Sequence, residues 1–124
     1  MIVEWMLPDD LSAARAARVH VADDLASRGV PDSIADDILL VASELAANAI
    51  RHGSPPALLK LTYSDGRVRV TVSNRGGSSD PIVLTAAHDS GHGRGLAMVQ
   101  ALADDVGWER EGDRLDVWAE FPVS

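Results

Sequence analysis

The sequence predicts an α+β, two-layer sandwich, a mixed and mainly antiparallel sheet covered on one face by helices. Three observations carry that expectation. Two segments with helical apolar spacing precede the first clear hairpin, a second hairpin closes the chain around Gly112 and Asp113, and no regular strand–helix–strand alternation of the parallel dinucleotide-binding kind is present. The 124 residues, 46% of them apolar, suit one packed core, so residues 1–124 are expected to form a single domain. The triplet Ala-Asp-Asp recurs at Ala22, Ala35 and Ala103, but the spacing is irregular and marks no repeat.

Taken in order, Ile2 to Leu7 reads as a short strand stopped by Pro8. Asp9 and Asp10 then offer capping carboxylates for a helix through about Ser27, with Leu11, Ala14, Val19, Ala22 and Leu25 as its apolar members. Pro31 suits the first position of a second helix reaching Arg51, whose Ile34, Ile38, Val41, Leu45 and Ala49 recur at helical spacing. Gly53, Ser54, Pro55 and Pro56 end it. Leu58–Tyr63 and Arg67–Val72 flank Asp65-Gly66, the dipeptide that favours a tight hairpin turn. From Arg75 to His92 the chain is rich in Gly, Ser, Asp and Pro and reads as a long functional loop. A short helix from Arg94 to Ala103 follows, then a hairpin of Val106–Glu111 and Arg114–Phe121, with Trp108 and Trp118 expected on one sheet face.

Charge narrows the function. A formal net charge of -8 repels a phosphate backbone, so direct nucleic-acid binding is not expected. Cysteine is absent, which excludes disulfides and thiolate metal sites. Met1 to Pro8 has neither the basic region of a signal peptide nor an apolar run able to span a membrane, so a cytoplasmic protein without membrane attachment is expected.

Three short blocks could carry chemistry. Glu44 and Asn48, four residues apart, project side by side on the second helix at one edge of its apolar stripe. Such a pair is commonly a solvated boundary, but asparagine inside a helix lowers its propensity and asks for a reason. Gly91, Gly93 and Gly95 stand just before a predicted helix, where close backbone approach and unpaired amides suit phosphate. The pattern is neither a P-loop nor a Gly-x-Gly-x-x-Gly motif. The combination is more specific than its parts: ELAANAIRHG from Glu44 to Gly53, VTVSNRGG from Val70 to Gly77, and GHGRGLAMV from Gly91 to Val99.

In order and spacing these blocks resemble the N, G1 and G2 boxes of the GHKL-type, histidine kinase-like ATPases, and the whole chain most resembles the small anti-sigma-factor serine/threonine kinases. The resemblance implies that Asn48 ligates a Mg²⁺ ion bridging the phosphates of ATP, for which its amide oxygen is a suitable hard ligand. It implies that Glu44 is the catalytic base, accepting the proton of an attacking protein hydroxyl. Gly93, Arg94, Gly95 and Leu96 match the phosphate-holding G2 box, preceded by a lid at about Pro81 to His92, and Gly76 matches the G1 glycine. His52 also fits the pattern, but as readily caps a helix end.

Two positions depart from the family. Asn74 stands where the G1 box carries an aspartate that accepts the adenine amino hydrogen. An amide can accept that hydrogen and also donate to a ring nitrogen, so ATP binding is retained while discrimination against GTP is expected to weaken. Ser78 replaces the usual second G1 glycine. The resemblance implies two protein partners, an anti-anti-sigma antagonist that is phosphorylated and a sigma factor that is sequestered. Homodimers are frequent in that family, and Trp5 with the first helix is a candidate interface. The alternative is a degenerate, non-catalytic member of the same fold that acts only by binding protein. A histidine kinase fragment is disfavoured, because His20 lacks the helical context of a phospho-acceptor.

Overall fold

Gly53 is the whole connection between helix α2 (Asp32–His52) and strand β2 (Ser54–Ser64). The computed structural model describes residues 1–75 and 92–123, the side chains of residues 92–96 excepted. Around that joint the described chain forms β1 (Ile2–Leu7), α1 (Ala13–Ser27), β3 (Arg67–Arg75), α3 (His92–Leu102), β4 (Asp105–Glu111) and β5 (Arg114–Pro122). The strands lie in the order β1-β2-β3-β5-β4, with every described pairing antiparallel. This is the expected α+β architecture, with helices on one face. Among the described residues no helix is long and apolar enough to cross a membrane.

Both hairpin turns follow from their residues. Asp65 and Gly66 have φ of 53° and 71°, the two positive values a type I′ turn requires. Gly112, at φ 64°, takes the first central position of the second turn, where an L side chain would be strained. Along β3, Val68, Val70 and Val72 are buried at alternate positions. Their partners Tyr63, Leu61 and Leu59 on β2, and Phe121, Ala119 and Val117 on β5, share that inner face. Helix α2 covers it with Ile38, Val41, Leu45 and Ala49, the predicted stripe, and adds Ala42 and Ala46.

Helix α1 departs from its expected face and start. It buries Ala13, Ala17, Val21 and Leu25, a strict four-residue spacing, and leaves Leu11 90% and Val19 53% exposed. Alanines at the crossing let α1 approach α2 closely, so the packing face is the small one rather than the most hydrophobic one. The carboxylate of Asp10 caps upstream of the helix instead of inside it, accepting from the backbone N–H of Ser12 at 2.8 Å and from its hydroxyl. Those two bonds, the hydroxyl's first, hold the Asp10 carboxyl below the usual carboxylate range.

The second hairpin corrects the expectation for its tryptophans. Trp108 pairs with Val117, whereas Trp118 pairs with Gly107, so the two indoles lie on opposite faces of the sheet. A Cβ on Gly107 would stand 2.2 Å from Cζ2 of Trp118, so glycine there makes room for the indole on the helix-free face. Strand β2 also begins earlier than expected, at Ser54, whose pairing with Arg75 precedes an irregularity before Leu58.

Two side-chain clusters tie distant elements together. On the helical side, the Tyr63 hydroxyl donates to Asp24 Oδ2 at 2.6 Å, Arg28 Nε donates to the same oxygen at 2.9 Å, and the guanidinium lies 4.1 Å from the tyrosine ring centre. Burial, reinforced by Asp24, pushes the Tyr63 phenol above its usual pKa. On the helix-free face, Arg67 and Arg69 both donate to Glu120, Arg67 also reaches Asp104, and Arg69 lies 3.9 Å from the Trp118 ring centre. Burial raises the Glu120 carboxyl, but its bonds to the two arginines outweigh that and leave it below its usual pKa.

Candidate functional site

The candidate site lies where the C-terminal half of α2 meets the end of β3. Glu44 and Asn48 project from one side of α2, both half-buried, beside the buried Leu45 and Ala49. Their four-residue separation on a continuous helix brings them together as the sequence predicted. Asn48 is unusual in its surroundings. Its Oδ1 and Nδ2 are both buried and have no hydrogen-bond partner among the described residues. A buried amide left without partners costs about 1–3 kcal/mol per orphaned group, so this flank of the helix is where a ligand, ion or ordered water would gain most by binding.

Asn74 reaches the same helix from β3. It is 8% exposed, and its Nδ2 donates to the backbone carbonyl of Ala49 at 3.2 Å. The same carbonyl accepts the N–H of Gly53 at 3.1 Å, so one oxygen serves both the helix terminus and the asparagine. Asn74 Oδ1, like both polar atoms of Asn48, is buried without a partner among the described residues. Three orphaned atoms therefore flank Ala49, two on the preceding residue and one across from it on β3. Only two other buried side-chain atoms among the described residues lack partners, Asp116 Oδ1 and Trp118 Nε1, and both belong to residues of the helix-free face.

Sequence reasoning missed Ala49 and Gly53 as parts of this arrangement. A backbone carbonyl carries no residue signature, and Gly53 read as a helix stop and as the end of the first block, with no contact to Asn74 expected. Its φ of -124° is open to any residue, so the need for glycine is one of space. A Cβ there would stand 2.0 Å from Asn74 Nδ2, 2.5 Å from its Cγ and 2.9 Å from the Ala49 oxygen. The signal available was a glycine one residue past a helix whose next block ends in a buried polar side chain.

The remaining predicted residues divide in two. Gly93, Arg94, Gly95 and Leu96 fall at the start of α3, which begins at His92, two residues before the expected start, and packs against α2. Gly76, together with Gly77, Ser78, Gly91 and the lid segment of residues 81–91, lies outside the described residues. Arg51 and His52 occupy the last turn of α2, where the positive charge of Arg51 complements the helix dipole.

The donor set fits a Mg-nucleotide in kind. An amide oxygen such as Asn48 Oδ1 is a hard ligand of the type Mg²⁺ accepts alongside phosphate oxygens, and Asn74 Oδ1 is an acceptor suited to an N–H of a base.

Comparison with known proteins agrees with this fold. The family model of the histidine kinase-like ATPase domain matches residues 7–121. Among solved structures, the RsbU and RsbW domains of Rv1364c from Mycobacterium tuberculosis align over 99% of this chain at 23% identity with a TM-score of 0.76. This chain covers 32% of that solved chain, about a third of its length. SiaB, in its complex with SiaC from Pseudomonas aeruginosa, aligns over 96% of this chain and 88% of its own at 15% identity, TM-score 0.72. The histidine kinase domain of a blue-light activated histidine kinase from Erythrobacter litoralis aligns over 91% of this chain and 60% of its own at 20% identity, TM-score 0.61.

Proposed function

The chain belongs to the histidine kinase-like ATPase domain family, and on that premise we propose that it is an ATP-dependent serine/threonine protein kinase of the anti-sigma-factor type. The observation that carries the reading is the trio of buried, unpartnered atoms on Asn48 and Asn74. They sit on residues where the family motifs place the metal ligand and the base reader, and a structure with no ligand to satisfy them would lose stability by keeping them.

In this reading Asn48 would hold a Mg²⁺ ion through its amide oxygen, and the cation would offset phosphate charge. Bound Mg-ATP supplies the γ-phosphoryl group and the cation that offsets its charge. Glu44, one helical turn before Asn48, accepts the proton of a serine or threonine hydroxyl on an antagonist protein as that oxygen bonds to the γ-phosphorus and ADP leaves. Gly93, Gly95 and Leu96 at the start of α3 offer backbone amides to phosphate, and Arg94 adds a positive charge. Two structural neighbours support a partner-switching role. One is a chain joining an RsbU and an RsbW domain, the other a protein solved in complex with SiaC. A sigma factor is the second partner proposed, and the acidic surface suits a basic region on it.

Calorimetric titration with Mg-ATP tests the nucleotide step. The wild-type protein is expected to bind at micromolar to millimolar concentration, and Asn48→Ala to lose a hundredfold or more in affinity, on the order of 3 kcal/mol. Transfer of labelled γ-phosphate to a purified antagonist-type protein, lost in Glu44→Gln with nucleotide affinity kept, tests the kinase step. Nucleotide binding without transfer to any such protein would leave the non-catalytic, protein-binding alternative, which the departures at Asn74 and Ser78 favour.

A further inference from the structure

We propose that the free edge of β1 is a docking site for an extended strand of a partner protein, one that sets a basic residue opposite Glu4 and an apolar residue two places to either side of it. The inference is independent of the nucleotide reading above and concerns a different part of the domain.

Backbone bonding decides which groups β1 has left to offer. The Met1 nitrogen donates to the Tyr63 carbonyl at 3.1 Å, and the Tyr63 nitrogen donates to the Met1 carbonyl at 2.9 Å, so these two residues form a doubly bonded pair. In an antiparallel ladder such pairs alternate with unbonded ones. With Ile2 opposite Thr62 and Leu7 opposite Ala57, the bonds to β2 fall to Val3, Trp5 and Leu7, and the N–H and C=O groups of Ile2, Glu4 and Met6 point away from β2. β1 is an end strand of the described sheet, so these groups are an open ladder. The strand is already held in place for pairing. Leu7 is buried, and Trp5 stacks on His20 of α1 with ring centres 5.1 Å apart, which lowers the ordering cost of adding a strand.

The side chains define the strand that fits. Ile2, Glu4 and Met6 share the helix-free face, where Ile2 is 61% and Met6 69% exposed. Glu4 between them is exposed as well and is the one charged residue of β1. Lys60 lies opposite it on β2, yet neither takes part in an ion pair among the described residues. A basic residue across the open edge complements Glu4, and apolar residues two places away cover Ile2 and Met6. A second copy fits worse. Pairing two β1 strands antiparallel with every open group used sets Glu4 against Glu4, and like charges directly opposite destabilise. The far edge is guarded by charge, since β4 carries Asp105, Glu109 and Glu111 on one face.

The test is a titration of the whole chain, without nucleotide, with the peptide Thr-Val-Thr-Lys-Thr-Val-Thr or its counterpart carrying Glu in place of Lys, followed by backbone amide NMR shifts up to about 1 mM peptide. In wild type the amides of Ile2, Glu4 and Met6 are expected to shift, with the Lys peptide bound about fivefold more tightly than the Glu peptide. Glu4→Lys is expected to reverse that order. Met6→Pro, which removes an outward N–H and keeps the bonds to β2, is expected to weaken both peptides by about fivefold or more. Absence of shifts at the three amides, or a Lys peptide bound no better than the Glu peptide, overturns the inference. So does a concentration-dependent shift of the same amides without peptide, which would assign the edge to a second copy. Should Met6→Pro fail to fold, the reversal in Glu4→Lys decides alone. Nucleotide binding is read separately, by the Asn48→Ala titration, and stands or falls on its own.

Discussion

Two polar ties fasten helices to the sheet, and they are built on opposite terms. Tyr63 on β2 and Asp24 on α1 meet in a cluster that includes Arg28 and leaves no buried polar side-chain atom unpartnered among the described residues. Asn74 on β3 and Ala49 on α2 make a comparable bond, yet three atoms beside it are left waiting. The first tie is complete among the described residues. The second is incomplete among the described residues, and the difference between them, more than the pattern of charge, marks the candidate site.

Substitutions can sharpen or break that contrast. The largest effect on stability is expected from Gly53→Ala, because its Cβ would overlap both the Asn74 amide and the Ala49 carbonyl. A loss of about 1–3 kcal/mol in urea-induced unfolding is expected, and an unchanged midpoint would show that the second tie is slack. Tyr63→Phe should cost about 1 kcal/mol at neutral pH, the worth of a hydrogen bond to a charged acceptor in a half-buried setting, with nucleotide affinity unaltered.

The same tyrosine predicts a pH dependence. Its folded pKa lies above the ordinary value of 10.0, so its contribution is fully present below that pH and is lost as pH rises through the folded value. Unfolding profiles from pH 9 to 11, roughly either side of the usual tyrosine pKa, should fall more steeply for wild type than for Tyr63→Phe. Parallel profiles would place the titration elsewhere. The smallest effect belongs to Asn48→Ala, which removes two orphaned atoms. Its stability should lie within about 0.5 kcal/mol of wild type or above it, although it is the change expected to remove nucleotide affinity. A large destabilisation would mean that Asn48 is structural after all.

Much of the fold was legible because the chain spells out its turns. Asp65-Gly66 and Gly112-Asp113 dictate backbone conformations that few residues adopt, and α2 carries a stripe of large aliphatic residues. Helix α1 was harder, since alanine buried at Ala13 and Ala17 gives no more signal than alanine exposed elsewhere, and the brighter residues Leu11 and Val19 face away. The tryptophan placement was within reach and was missed by one residue. A two-residue turn pairs Glu111 with Arg114, hence Trp108 with Val117, and so sets Trp118 on the other face. Within the site, Glu44 and Asn48 follow from helical spacing, but that Asn74 meets the same helix depends on the register of β3, which local sequence does not encode. Ala49 is the extreme case, a site residue whose contribution comes from an atom every residue possesses.

The one-residue joint at Gly53 has a consequence for how the molecule assembles. Because β2 starts where α2 stops, α2, β2 and β3 form one continuous stretch of chain, and the bond from Asn74 to Ala49 closes a loop of only 25 residues, against 39 for Tyr63 to Asp24. Short loops close at lower entropic cost and contribute early to a folding nucleus. The part of the domain that carries the candidate site is therefore also a part able to form before α1 or the C-terminal hairpin has docked.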